Sequence, residues 1–125
     1  MSAHPLHRLR MPDTPGEDYF LPTEKLIDGN PRQTVWQQYS DPSGKFFAGA
    51  WASEPGKWRI SYTEEEYCQI LHGVSVIADA DGNAVSVQAG DRFVIPRGFV
   101  GTWEVVAATK KLYVIYEPGE TTASA

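Results

Sequence analysis

The sequence predicts an all-β domain, a barrel or sandwich of short antiparallel strands. Nine prolines and eleven glycines divide the 125 residues into short segments. Turn residues recur roughly every ten positions, and about nine or ten short apolar or alternating runs lie between them. No stretch has the periodicity of a long amphipathic helix. A chain of this length buries roughly two-thirds of the surface of its unfolded form, which favours one domain with its own core.

The predicted strands follow one another along the chain as alternating or apolar runs. Residues 34–51 predict a hairpin that turns at 41–44, and residues 79–83 are the clearest hairpin turn of the sequence. The remaining candidates are 57–62, 67–71 continuing into 74–77, 85–87, 93–95, 102–106 and 111–116. Residues 22–27 predict one helical turn or a short edge strand.

The domain organisation has three parts. Residues 1–33 are polar and interrupted by prolines, and we interpret them as an N-terminal arm and edge segment. Residues 34–117 form the predicted barrel, and residues 118–125 a flexible tail.

Composition excludes several classes of function. The formal net charge of −5 argues against a nucleic-acid partner, which selects a basic surface. No apolar stretch is long enough to span a membrane, and the N-terminus lacks the pattern of a signal peptide, so we expect a cytoplasmic protein. The single cysteine, Cys68, excludes an intrachain disulfide and predicts a buried, reduced thiol.

Two segments carry a paired motif. Glu66 is followed by six residues and Gly73, and Gly90 is followed by five residues, Pro96, one residue and Gly98. Together they resemble the two motifs of the cupin superfamily over residues 34–116. The residues within and after these motifs are similar to those of the cupin-3 branch (DUF861). They are also similar to those of the cupin domains of ureidoglycine aminohydrolases and of ethanolamine-utilisation protein Q. The resemblance implies a single cupin jelly-roll β-barrel.

The same resemblance implies a metal site of three histidines and one glutamate, and this sequence keeps only the glutamate. Counted back from Glu66, the two histidine positions of the first motif fall on Ile60 and Tyr62 or about one residue later, and counted from Gly56 they fall on Tyr62 and Glu64. The histidine position of the second motif falls on Gly101. We therefore expect a degenerate metal site and no cofactor. The alternative is a divalent metal such as Mn held through Glu66, with Glu64 as a second carboxylate.

Strand alternation predicts which side chains line the barrel. Tyr62 and Glu66 are the candidate catalytic acid–base pair. The candidate ligand-binding residues are Trp51, Glu64, Cys68, Phe99, Trp103 and Tyr113. A buried Glu66 needs a partner, for which the sequence offers Arg59, Arg92 or Lys111. Gly101 is expected either to leave room for a ligand or for Trp103, or to be a plain turn glycine.

These residues predict a small-molecule-binding protein of unknown substrate, whether or not it is an enzyme. An aromatic cage around one or two acids suits a ligand with a positive or hydrogen-bond-donating group. One alternative is a metal-dependent hydrolase or lyase resembling ureidoglycine aminohydrolase. The other is a ligand-free structural or regulatory dimer, with the Trp36 and Tyr39 hairpin and the N-terminal arm at its interface. We expect a homodimer.

Overall fold

The computed structural model describes residues 4–10 and 12–119, and over these residues the all-β prediction is confirmed. A single 3-10 turn, Thr23–Lys25, precedes the second strand, so residues 22–27 supply both structures predicted for them. The strands are β1 (Glu17–Tyr19), β2 (Leu26–Asp28), β3 (Gln33–Ser40), β4 (Phe46–Ser53), β5 (Gly56–Ser61), β6 (Glu65–Asp79), β7 (Ala84–Gln88), β8 (Arg92–Ile95) and β9 (Val100–Tyr116).

Two long strands, β6 and β9, belong to both layers of the barrel. They pair antiparallel along nearly their whole length, with register shifts between Ile70 and Ser75. The first layer has the order β1-β3-β4-β9-β6-β8 and uses the second half of β9 and the first half of β6. The second layer has the order β2-β5-β9-β6-β7 and uses the other two halves. This is the jelly-roll barrel that the motifs imply.

Glycines allow β6 and β9 to approach each other closely at two places. Gly73 adopts a φ of +92°, and a side chain there would overlap the backbone of Ala108 across the bend of the two strands. A side chain on Gly101 would overlap the carbonyl oxygen of Ala78. The prediction that Gly101 leaves room for a ligand or for Trp103 is therefore wrong, as is the turn alternative. The glycine sits within β9 and is needed because the neighbouring backbone occupies the space of a Cβ.

The N-terminal arm packs along the hairpin of β3 and β4. The Trp36 indole donates a hydrogen bond from Nε1 to the carbonyl of Thr14 at 2.8 Å, and Gly16 lies against the same indole. The His7 ring lies 4.7 Å from the ring of Tyr39. The arm then becomes β1, which adds a third strand beside β3. Most of the predicted tail, residues 120–125, lies outside the described residues.

The core lies between the two layers and is dominated by aromatic side chains. Trp51, Trp58 and Trp103 are at most 8% exposed, and their rings meet edge to face at centroid distances of 5.5–6.1 Å. Cys68 is fully buried in this core as a free thiol, as predicted. No helix of the described residues is long and apolar enough to cross a membrane.

We expect Gly101→Ala to lower the free energy of unfolding by about 3 kcal/mol or more, because the new methyl group forces β9 away from β6. The control is Gly82→Ala, at a turn where φ is +89° but nothing lies within 4 Å of the position that the added methyl group would take. That change costs only the strain of a left-handed backbone, about 1–2 kcal/mol. Urea denaturation of both variants measures the difference, and equal losses would contradict the close approach at Gly101.

Candidate functional site

A cavity of about 550 Å³ lies at one end of the barrel between the two layers. Strand alternation directs side chains into it from β3, β4, β5, β6 and β9, while β1 and the segment before β2 form one wall. The cavity is lined by Glu17, Tyr19, Leu21, Lys25, Gln33, Val35, Gln37, Phe47, Trp51, Trp58, Arg59, Ile60, Ser61, Tyr62, Glu64, Glu66, Trp103, Lys111, Tyr113 and Ile115.

A buried ion pair lies at the floor of this cavity. The ammonium of Lys111 donates a hydrogen bond to Glu66 Oε2 at 2.9 Å, and the two side chains are only 6% and 5% exposed. The other carboxylate oxygen, Oε1, accepts a hydrogen bond from the Tyr62 hydroxyl at 2.6 Å. Lys111 Nζ also lies 3.6 Å from Cys68 Sγ. Of the three partners that the sequence offered for Glu66, the structure has Lys111, which starts opposite Ile70 and reaches Glu66 through its side chain. Arg59 and Arg92 are exposed.

Two indoles cover the ammonium of Lys111. Its Nζ lies 4.8 Å from the ring centroid of Trp51 and 4.4 Å from that of Trp103, both within cation–π range. The aromatic cage that the sequence predicted for a ligand cation therefore already holds a cation of the protein itself.

Trp103 is held by a directed chain of buried hydrogen bonds. Its Nε1 donates to Ser75 Oγ at 3.0 Å, Ser75 Oγ and Thr109 Oγ1 are 2.8 Å apart, and Thr109 Oγ1 donates to the carbonyl of Ala107 at 2.9 Å. Since Thr109 uses its hydrogen on Ala107, Ser75 donates to Thr109. The polar side-chain atoms of Trp103, Ser75 and Thr109 all have partners, so the indole above Lys111 is fixed in orientation.

A second set of hydrogen bonds links other side chains of the cavity lining. The indole N–H of Trp51 is shared between Gln33 Oε1 at 3.0 Å and the Tyr19 hydroxyl oxygen at 3.1 Å. The Tyr113 hydroxyl donates to Gln37 Oε1 at 2.6 Å. These bonds connect β4 to β1 and β3, and β9 to β3.

The ionisable groups around the pair keep their protons. Burial raises the pKa of Tyr62 far above its usual range, and the adjacent Glu66 charge and hydrogen bond add to the effect. Burial also raises the pKa of Cys68 to about 12 and that of Tyr113 to about 12. Burial alone would lower the pKa of Lys111, but the Glu66 carboxylate and the hydrogen bonds to Glu66 and Cys68 raise it. Lys111 is thus an ammonium, Tyr62 is a neutral donor to Glu66, and Cys68 is a neutral thiol whose sulfur accepts from Lys111.

The residues present do not fit the metal site that the cupin motifs imply. Within residues 4–10 and 12–119, no three histidine, cysteine, aspartate or glutamate side chains are grouped so that they could hold a metal ion. Both oxygens of Glu66 are hydrogen-bonded, and the ammonium at 2.9 Å would repel a second cation. Tyr62 offers a protonated phenol at a position where the motif has a histidine.

Six of the eight predicted site residues line the cavity together, namely Trp51, Tyr62, Glu64, Glu66, Trp103 and Tyr113. Cys68 lies behind them in the core, and Phe99 packs against the core outside the lining. Sequence reasoning missed Gln33 as a site residue and named Lys111 only as one of three partners. Lys111 shares the strand parity of Tyr113, so alternation along β9 was the signal that could have found it. Gln33 follows a segment without a strand pattern and had no such signal.

Comparison with known proteins agrees with this architecture. The family model of the EutQ-like cupin domain matches residues 40–113, and no curated protein sequence matches the chain. A protein of unknown function of the DUF861 family from Pseudomonas syringae is similar with a TM-score of 0.72 at 19% identity, over 82% of this chain and 43% of its own. The chain therefore spans less than half the length of that protein.

Two structures of ethanolamine-utilisation proteins are similar as well. The EutQ protein of Clostridium difficile gives a TM-score of 0.63 at 18% identity, over 74% of this chain and 67% of its own. A putative ethanolamine utilization protein Q from Salmonella typhimurium gives 0.61 at 15% identity, over 82% and 97%. At such identities the likeness shows the fold.

Breaking the Glu66–Lys111 pair from either side should be costly, because it leaves one uncompensated charge in the core. We expect Lys111→Met and Glu66→Gln each to lower the free energy of unfolding by about 3–5 kcal/mol. The double variant should cost less than the sum of the two by about 2 kcal/mol or more. The exposed pair of Arg32 and Glu54, with a nitrogen–oxygen distance of 3.3 Å, is the control. A double-mutant cycle on this pair should give a coupling energy of about 1 kcal/mol or less. Equal coupling energies in the two cycles would contradict the buried pair.

Stability should fall as the pH rises above about 9, the ordinary pKa of a cysteine thiol. Because the pKa of Cys68 is raised to about 12 in the folded protein, the unfolded chain loses this proton first. Its contribution is complete below pH 9 and is lost between pH 9 and 12. Cys68→Ala should reduce the slope of the unfolding free energy in this window by about 1.4 kcal/mol per pH unit. Urea denaturation from pH 7 to 10.5 measures both slopes, and identical slopes would refute the raised pKa.

Proposed function

The chain belongs to the family of EutQ-like cupin domains, and from this premise we propose that its barrel binds a small organic molecule without a metal ion. The observation that carries the proposal is the Lys111 ammonium, bound to the one glutamate that survives from the metal motif. A metal in such a site supplies a positive charge to the interior of the barrel. Here a lysine side chain supplies it, with Glu66 as counterion.

The cavity has the size and lining of a small-molecule site. Its volume of about 550 Å³ lies within the range of roughly 300–1,000 Å³ that is usual for ligand pockets. Aromatic walls offer contact area, and a few polar groups offer orientation. The hydrogen bonds of Glu66, Lys111 and Trp103 fix the floor before any ligand enters, which lowers the entropic cost of binding.

The contacts of Tyr62 and Glu66 support a ligand-binding role for the cavity better than acid–base catalysis by these two residues. The raised pKa of Tyr62 keeps its phenol protonated, and the phenol donates this proton to Glu66 rather than to the open cavity. With Lys111 on its other oxygen, Glu66 is a hydrogen-bonded counterion and a poor general base. The pair of Tyr62 and Glu66 then serves to hold the ammonium in place.

The metal-dependent hydrolase or lyase alternative needs donors that these residues do not supply. The homodimer and the cytoplasmic location predicted from the sequence stay predictions. The hairpin that the sequence assigned to the dimer interface is covered in this structure by the arm of the same chain at Trp36 and Tyr39.

Ligand-observed NMR with a library of small organic fragments tests the proposal. We expect fragments that bind the wild type and lose binding in Val35→Trp, which places an indole in the cavity from β3. The control is Val85→Trp, at a side chain on β7 that is 61% exposed and far from the lining. Fragments that bind Val35→Trp as well as the wild type, or no binding fragment at all, would refute a ligand site in the barrel.

Elemental analysis gives the metal part of the test. We expect less than about 0.1 equivalents of Mn, Fe, Ni or Zn per chain after incubation and desalting, and no shift of the melting temperature on adding Mn²⁺. Stoichiometric metal that is lost in Glu66→Gln would overturn the metal-free proposal.

A further inference from the structure

In the part of the chain that the structure describes, the side-chain amide of Gln33 has a hydrogen-bond partner for its oxygen but none for its nitrogen. Gln33 lies at the start of β3, is 2% exposed and lines the cavity. Among the described residues its Nε2 has no hydrogen-bond partner. Buried donors are nearly always paired, because an unpaired one forfeits its hydration without compensation. A donor kept in this state in a ligand cavity points to a partner that arrives with the ligand.

The orientation of the amide is set by its neighbour. Gln33 Oε1 accepts the indole N–H of Trp51 at 3.0 Å, so the amide cannot be turned round without placing two donors against each other. The Nε2 group is therefore the free end of the carboxamide.

Tyr19 places a second donor beside the first. Its hydroxyl oxygen accepts the same Trp51 N–H at 3.1 Å, and its backbone is the register partner of Gln33 between β1 and β3. The hydroxyl hydrogen is not used in any hydrogen bond within the described part of the chain. Burial raises the pKa of Tyr19, so the hydroxyl keeps this hydrogen at neutral pH.

The charges around the cavity favour an uncharged acceptor. The lining has three acidic residues (Glu17, Glu64 and Glu66) and three basic ones (Lys25, Arg59 and Lys111). The deepest acid and base already neutralise each other in the Glu66–Lys111 pair. A carboxylate would bring a further negative charge into a cavity whose deepest base is already paired with Glu66, and an ammonium would face the N–H groups of Gln33.

We propose that Gln33 Nε2 and the Tyr19 hydroxyl bind the uncharged carbonyl oxygen of an amide- or ketone-bearing ligand. This inference rests on the proposed function and names the chemical class that the cavity takes. The aromatic walls pack against the remainder of the ligand, and the two donors fix its carbonyl end.

The test uses three probes of one shape: benzamide, benzoate and benzylamine, titrated by calorimetry at pH 7.5. We expect benzamide to bind at least about tenfold more tightly than the two charged probes, because only its oxygen pairs the donors without adding charge. Gln33→Met should weaken benzamide binding at least about tenfold. Gln38→Met is the matched control on β3, at a glutamine outside the lining, and should leave it unchanged.

Tyr19→Phe is the second variant. It removes only a hydroxyl group from an exposed strand, so it should keep the fold even if Gln33→Met unfolds the protein. We expect it to weaken benzamide binding about fivefold. Equal or tighter binding of benzoate or benzylamine, or benzamide binding unchanged by both variants, would overturn the inference. The inference would also be overturned if the cavity bound other fragments but none of the three probes. The proposed function would stand in that case. A barrel that binds no fragment overturns both.

Discussion

The ion pair of Glu66 and Lys111 is the interaction on which the arrangement of this barrel depends. Two opposite charges lie in the interior, where either alone would be prohibitively costly, and the surrounding groups are placed to satisfy them. Tyr62 donates to the carboxylate, two indoles cover the ammonium, and Cys68 lies behind it. Because the pair joins β6 to β9, it also connects the two longest strands at the place where both belong to the first layer. Charge compensation and strand pairing therefore support each other.

The architecture of β6 and β9 explains why such a pair can form at all. Each strand crosses from one layer to the other, and at the bend the two backbones meet where Gly73 carries no side chain. Beyond the bend, Ser75 and Thr109 use their hydroxyls to fix Trp103, whose indole covers Lys111. The rigidity of the cavity floor thus originates in a polar chain on the far side of the core.

The fold could be predicted from the sequence because its determinants are local. Turn residues, two-residue alternation and the paired motifs around Glu66 and Gly98 each follow from positions close together in the chain, and the family match agrees with them. The partner of Glu66 could only be narrowed to three residues, because it lies 45 positions away and depends on register across strands. The role of Gly101 was mistaken for the same reason, since its neighbour is the backbone of another strand. Gln33 and Tyr19 escaped notice because they lie in a polar segment with no pattern to assign a face.

The position of the cavity wall limits what family membership can say about the ligand. The residues that match the family model begin at residue 40, whereas seven residues of the cavity lining precede it (Glu17, Tyr19, Leu21, Lys25, Gln33, Val35 and Gln37). The matched residues contribute the Glu66–Lys111 pair, and the residues before them contribute β1 and most of β3. The family pattern therefore describes only part of this cavity. Two domains that share the pattern need not share a ligand, because side chains outside it reach the same space.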